Sequence, residues 1–494
     1  MGANIESCSR YASIIAYSLN ETSRWPHKPC YPHSTATGPF QINHKSYSTS
    51  VCKRAPISSI HKCYKANGVR TGFDPHNYTS GRWLRDAKKE RASRYIECDF
   101  DALCRRILDL SPKASSIIDC QKVEGGFNRV FVFELNDDTR LVAKLPFTLA
   151  GPPRLTTSSE VATIKYYWND DATSIENAIG SEFIIMEHAA GVQLHNQWHG
   201  MTDKQRVKCI DAIYRKLKEV VDLQFPCFGS MRLMETSVLD HIVEPDTGTV
   251  HLHVIEDPIR GLGLIFSNTA MAWLMLDPLI KNCATPALFH TDLHKRNIFV
   301  SEDDPSVITG IVDWQAASIE PAFWYADEIP DFATENEVCT RAFDVCTQFL
   351  IPGLSKPRLL DQNLFRPFRY SYRTWKDGAV ALQHDFIDTS RHWQRLGFTG
   401  QCPYKLPSPH ELADHRKQYR LFEAAHNLRY DLAGLLNTAT DGWVPVSDWQ
   451  TAQTAHHEMS DGTLQAVLTN PEADDPDEPV KDEETLRNIW PFDI

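Results

Sequence analysis

The 494-residue sequence has no apolar stretch of the length a membrane-spanning helix needs, so none of its segments reads as a bilayer span. It has no C-x-x-C pair. Its 13 cysteines are scattered without repeated spacing, which points away from both a disulfide framework and a zinc ribbon. No internal repeat of useful period is present. Positive charge is also in short supply: 51 Lys and Arg against 64 Asp and Glu leave a net charge of −13, which argues against general nucleic-acid binding. Two N-x-[ST] sites, at Asn20 and Asn77, carry little weight without a secretory signal. What remains, with 42% hydrophobic and 23% charged residues, is an ordinary globular composition on a chain long enough for two domains or one two-lobed domain.

Charge is distributed unevenly. Through Arg70 the only acids are Glu6 and Glu21, set against nine lysines and arginines. This acid-poor, Ser-rich leader over residues 1–70 reads as a mitochondrial presequence. A leader with no address, and hence a cytoplasmic protein, is the alternative. Met1-Gly2 does not satisfy the myristoylation pattern, because Glu6 stands at the Ser/Thr place. At the other end, residues 466–494 gather Glu472, Asp474, Asp475, Asp477, Glu478, Asp482, Glu483 and Glu484, and read as a solvated, flexible acidic tail. Between the ends, residues 71–190 are expected to form an extension plus a nucleotide-binding lobe, and residues 191–465 a helical lobe.

The chemistry concentrates in His290-Thr-Asp292-Leu-His294-Lys-Arg-Asn297, followed by Ile311-Val-Asp313-Trp. Asn297 to Val300 and Val307 to Val312 have strand character, with turn residues Glu302-Asp-Asp-Pro305 between them, so the spacing predicts an antiparallel hairpin. A hairpin brings Asn297 and Asp313 to one open end, with Asp292 in the leading loop. Two oxygen ligands and one carboxylate base in such a place suit a metal-nucleotide phosphotransferase. Two other readings compete. One is a capped turn with no chemical role; the other is a metallohydrolase centre of His290, Asp292 and His294, since imidazole and carboxylate suit zinc.

Upstream, Val123-Glu-Gly125-Gly126 leads into the alternating strand ending at Leu135, a turn at Asn136-Asp-Asp-Thr, and a return strand ending in Val142-Ala-Lys144. Gly125 and Gly126 would let backbone approach phosphates, and Lys144 could pair with the α- and β-phosphates. A helix is expected from Thr156. On it Glu160 is either the N3 member of a capping box with Thr157 or an ion-pair partner that orients Lys144. The strand ending in Met186-Glu187-His188 offers backbone on which a nucleotide base could dock at Glu187 and His188.

These segments, together with Ser159-Glu-Val-Ala-Thr163, Asp313-Trp-Gln315 through Phe323 and the terminal Trp490-Pro-Phe-Asp493, resemble the aminoglycoside phosphotransferase family, a branch of the protein-kinase-like fold. More narrowly they resemble the fungal group named after Altered inheritance of mitochondria protein 9. The resemblance implies an α+β, two-lobed fold with a small antiparallel β-rich lobe and a larger helical lobe, and it implies ATP and Mg²⁺. Carried over by position, Asp292 would be the base, Asn297 and Asp313 the metal ligands, and Lys144 the phosphate-binding lysine. Between Glu160 and Glu187 the chain is short for a helix and a hairpin, with Asp170, Asp171 and Gly180 where apolar strand residues would be expected, and Met231 to Ile280 looks compressed.

The expected activity is therefore ATP- and Mg²⁺-dependent phosphoryl transfer to a small hydroxylated molecule. A protein acceptor is disfavoured, because no A-P-E signature follows Asp313 at activation-loop distance. The aromatic and acidic mixture of Trp314, Phe323, Trp324, Tyr325, Asp327, Glu328 and Asp331 reads either as a cation-binding wall or as packing beside a solvated loop. The alternative function is a kinase-like binding or interaction protein in mitochondrial maintenance without catalytic activity. In the second lobe, Thr202-Asp-Lys-Gln205 predicts a capped helix with Val207, Ile210, Ile213, Leu217, Val220 and Val221 on its core face. Further helices are expected over 337–440, notably around Leu421 to Leu428.

Overall fold

A computed structural model of the chain describes residues 74–151, 155–164, 177–225, 231–233, 250–252, 283–326, 329–361, 364–367, 378–469 and 478–494. The leader, Asp170 and Asp171, most of Met231–Ile280, Asp327 and Glu328, and the acidic stretch 470–477 lie outside the described residues. In chain order the elements are β1 (Gly81–Trp83), α1 (Ala87–Ala92), α2 (Phe100–Asp109), β2 (Ile117–Glu124), β3 (Asn128–Leu135), β4 (Arg140–Pro146), α3 (Leu155–Ile164), β5 (Ile184–Glu187), β6 (Val192–Gln193), α4 (Leu194–Trp198) and α5 (Asp203–Val221). There follow β7 (Met231–Leu233), β8 (Val250–Leu252), β9 (Pro286–Leu288), β10 (Ile298–Val300), β11 (Ile308–Ile311), β12 (Ile319–Pro321), α6 (Glu337–Leu350), α7 (Val380–Arg391), α8 (Pro409–Leu436), β13 (Trp443–Pro445), α9 (Trp449–Leu468) and α10 (Glu483–Ile489).

The smaller lobe is an antiparallel sheet in the order β2-β3-β4-β5. Strand alternation sorts its side chains. Phe131, Phe133 and Leu135 on β3 and Leu141, Ala143 and Leu145 on β4 face one way and are buried against Phe100, Leu103 and Ile107 of α2, with Tyr78 and Trp83. Val130, Val142 and Lys144 take the opposite face, where the register pairs Val130 with Lys144.

The larger lobe is built around α5 and α6, with α4, β9–β11 and the 3₁₀ turn Ala322–Tyr325 sharing one core, and Ile319 of β12 in a smaller cluster with Leu288 and Ala317. Thr202 and Gln205 cap α5 reciprocally, as the sequence predicts. Ile210, Ile213 and Leu217 are buried, but Val207 is exposed; Cys209 and Tyr214 complete the inward face instead. The expected hairpin is present: β10 pairs antiparallel with β11, and β6 adds on the other side of β10.

A third cluster joins the first and last described stretches of the chain. β1 pairs with β13, and Leu84 packs with Leu428 and Leu432 of α8, Leu486 and Ile489 of α10, and Trp490 and Phe492. This corrects the expectation of a flexible tail over 466–494. From residue 478 the chain is folded, with Asp482 capping α10, Trp490 Nε1 donating to His456 Nε2 (2.9 Å) and Asp493 accepting from the Asp86 N–H (2.7 Å). The apolar residues after the acidic run outweigh the acidity by burying their surface.

Candidate active site

The site forms where β4, α3, the loop before β10 and the end of β11 converge. Lys144 Nζ lies 2.6 Å from Glu160 Oε1 and 2.6 Å from Asp313 Oδ1. Lys144 and Glu160 are buried, whereas the Asp313 side chain keeps 38% of its exposure. Burial pulls the Lys144 ammonium down, but Glu160 and Asp313 together outweigh it and leave it above its ordinary value. Glu160 is therefore engaged with Lys144. The capping-box reading is not realised: α3 begins at Leu155, Thr157 lies inside it, and Thr157 Oγ1 donates to Glu182 Oε2 (2.8 Å).

Asp313 has φ +65°, in the left-handed region, which costs an L-residue energy but which Asp and Asn tolerate best. The hairpin brings Asn297 next to it: the Val312 N–H donates to the Asn297 carbonyl (2.9 Å). Asn297 Nδ2 donates to the Asp292 backbone carbonyl (3.0 Å), so its side-chain oxygen is the end left over for a ligand. Asn297, Asp313 and the Asp292 loop thus share one end of the hairpin.

Asp292 itself is open, its side chain 65% exposed. His290 is fully buried; its Nε2 faces the Val312 carbonyl (2.8 Å) and its Nδ1 accepts from the Asp292 N–H (3.1 Å). Only the neutral Nε2–H tautomer satisfies both partners, and burial depresses its basicity accordingly. With both ring nitrogens spent, His290 cannot ligate zinc. Among the described residues no group of three or more His, Cys, Asp or Glu is placed to hold a metal alone. The metallohydrolase reading falls on that geometry.

Sequence reasoning left His294 without a role beyond that reading. Its Nε2 sits 3.3 Å from Asp292 Oδ2 and its Nδ1 accepts from the Arg296 N–H (3.1 Å); the bond to Asp292 raises its pKa. Lys295 was missed as well. It is buried over Trp198, with Nζ on Glu335 (2.9 Å) and its N–H on Asp331 (3.0 Å), and so fastens the middle of the loop to the larger lobe. Asn128 donates to Gln315, a bond from the glycine turn to the residues after Asp313. The Asp-x-His spacing was the available signal for His294; nothing local marked the other two.

Gly125 and Gly126 lie in the β2–β3 turn, and a Cβ on Gly126 would meet nothing within 4 Å. At β5 the expectation needs correcting. The His188 N–H already donates to the Arg140 carbonyl (3.1 Å). In an antiparallel ladder that leaves the N–H and C=O of Glu187 pointing away from β4 toward the sheet edge, so of the two residues it is Glu187 whose backbone faces outward. Gly191, at φ +80°, lets the chain cross β10; a Cβ there would lie 2.0 Å from the Val300 carbonyl oxygen. Phe323, Trp324 and Tyr325 are buried in the larger core, so they are packing and not a cation-binding wall.

Residues 119–324 match the model of a phosphotransferase enzyme family. The described residues form a small antiparallel sheet lobe and a larger helical one, the two-lobed α+β architecture expected. Among curated proteins, the chain is 31% identical over 118 residues to a subtelomeric hrmA-associated cluster protein of Aspergillus fumigatus, covering 22% of this chain and 23% of that one. It is 25% identical over 214 residues to the Altered inheritance of mitochondria protein 9, mitochondrial, of Meyerozyma guilliermondii, covering 33% and 34%. The chain thus spans about a quarter to a third of the length of these relatives. Among solved structures, it is similar to an ADP-bound aminoglycoside phosphotransferase APH(2'')-Ib (13% identity, 66% of this chain and 98% of that one, TM-score 0.31). It is also similar to a Plasmodium vivax ethanolamine kinase (15%, 61% and 87%, TM-score 0.34).

Proposed function

We propose that the chain is an ATP- and Mg²⁺-dependent phosphotransferase that acts on a small hydroxylated molecule. The observation that carries this reading is the buried Lys144, fixed by Glu160 and touching Asp313, with the open carboxylate of Asp292 on the neighbouring loop. The donor chemistry fits magnesium. Asn297 and Asp313 offer only oxygens, and two protein ligands leave positions for phosphate and water, as this ion prefers. When bound, the ion would neutralise charge on the terminal phosphates.

The chain's own residues do the rest. Lys144, held in place by Glu160, positions the α- and β-phosphates. The exposed backbone of Glu187 takes the base. Asp292 accepts the proton of the acceptor hydroxyl as the phosphoryl group leaves. His294 donates to Asp292 Oδ2 and orients the carboxylate. His290 and Lys295 keep the loop in register from below.

The test is calorimetry of ATP on the full chain, with and without Mg²⁺, beside Asp313→Ala. Binding that needs both the ion and Asp313 supports the reading. A folded protein that binds no nucleotide overturns it and leaves a kinase-shaped interaction protein. Slow ATP hydrolysis that disappears in Asp292→Asn separates an enzyme from a nucleotide-binding module. A mitochondrial location is proposed from the basic leader and from relatives whose names carry it; imaging of the tagged full chain checks it.

A further inference from the structure

The glycine turn is held from outside the family-matched segment. At its tip the Gly125 N–H donates to the Asn128 carbonyl (2.9 Å), and Gly126 and Phe127 connect the strands. Tight hairpin connections usually rely on left-handed central residues to match strand twist. Neither Gly126 nor Phe127 has a left-handed φ. The turn therefore needs another source of order.

Arg94 supplies one. It precedes the matched residues 119–324 and is buried. Its guanidinium lies 4.2 Å from the Trp83 ring centre, Nη1 donates to Glu90 Oε2 (2.5 Å), and Nε donates to the Gly126 carbonyl (3.2 Å). Glu124, just before the turn, is fastened to the same extension by the N–H groups of Thr79 (2.8 Å) and Ser80 (3.0 Å). Trp83 packs on the sheet face that carries Phe131 and Ala143, opposite the face that carries Lys144. A trans peptide is planar, with its N–H opposed to its C=O. A Gly126 carbonyl drawn toward the extension turns the Phe127 N–H toward the Lys144 side.

We propose that Arg94 is a positioning residue for the nucleotide phosphates: it fixes the Gly126–Phe127 peptide so that its N–H faces the space beside Lys144. This rests on the nucleotide-binding reading above. The Phe127 side chain at the tip is exposed and makes no core contact that would fix the turn.

The experiment compares wild type, Arg94→Met and Arg94→Lys in the full chain by calorimetry with Mg²⁺, using ATP and adenosine as probes. Arg94→Met should weaken ATP about tenfold, the scale of one hydrogen bond to a charged group, and leave adenosine unchanged. Arg94→Lys, which retains a donor, should recover part of the loss. Equal weakening of both probes, or no change in either, overturns the proposal. A wild type that binds neither probe overturns the nucleotide reading, and the proposal falls with it. Should Arg94→Met not fold, amide exchange on the wild type decides: slower exchange at Phe127 with Mg·ATP supports the role, and unchanged exchange there, with ATP bound, overturns it.

Discussion

The smaller lobe contains two buried ion-pair networks, one on each side of its sheet, and they are built to different ends. On the extension side, Glu124 and Arg129 meet at 2.8 Å with both side chains inaccessible to solvent. Glu124 accepts from Thr79, Ser80, Lys122 and Arg129, and Arg129 donates to the carbonyls of Pro75, His76 and Arg94. That network is closed. On the other side, Lys144 has two carboxylates, one of them partly exposed and on a left-handed residue. That network is open at Asp313, and the surplus negative charge calls for a second cation. Full satisfaction marks a structural network, and incompleteness beside solvent marks a ligand site.

The largest effect should come from breaking the closed network. Glu124→Ala leaves the Arg129 guanidinium buried without its counter-charge and should cost about 3–5 kcal/mol in chemical denaturation. Lys144→Met, in the open network, leaves Glu160 without its cation and should cost about 1–3 kcal/mol, less because the carboxyl can take up a proton. Equal costs would erase the distinction between the two sides.

Acidity sharpens the comparison, because the two carboxyls respond in opposite directions. Burial alone would raise Glu124, but the Thr79 N–H, Arg129 and Lys122 outweigh it and hold it below its ordinary value of 4.5. A depressed carboxyl contributes stability that is present above the unfolded value and is lost as pH falls through the folded one. Glu124→Gln should therefore flatten the acid limb of the stability curve below about pH 4.5. Burial pushes Glu160 up, and Lys144 is what opposes that. In Lys144→Met the raised carboxyl favours the fold at low pH and loses that advantage as pH rises, so its destabilisation should be greater at neutral pH than in mild acid. Denaturation of both variants across pH checks the opposed slopes.

Legibility in the sequence followed range and alternation. The β10–β11 hairpin, the α5 cap and the Lys144 strand are local patterns, and each appears where its residues placed it. The Arg129 network was missed although a signal existed: Arg129 alternates with Phe131, Phe133 and Leu135, so a strand puts its charge on the core face. The pairing of β1 with β13 left no such trace, because its partners are far apart in the sequence. The acidic run misled the reading of the last residues because charge density was weighed without Trp490 and Phe492 beyond it. At His188 the strand end suggested exposed backbone for docking, but its N–H is taken by the ladder to Arg140.

The smallest stability effect is expected at Asp313, and it separates fold from function most sharply. Asparagine accepts a left-handed backbone about as readily as aspartate. Lys144 keeps Glu160, and the lost pair is partly exposed and screened. Asp313→Asn should therefore change stability by less than about 1 kcal/mol, whereas Asp313→Ala, which must hold φ +65° without a polar side chain, should lose about 1–2 kcal/mol. Both remove the carboxylate proposed for the ion and should lose Mg²⁺-dependent ATP affinity by about tenfold or more. If Asn binds as the wild type does, Asp313 is there for the backbone and Lys144 alone. If Asn folds like the wild type and no longer responds to Mg²⁺, the open network exists for the ligand, and its strain and unbalanced charge are what the closed network on the far side of the sheet lets the lobe tolerate.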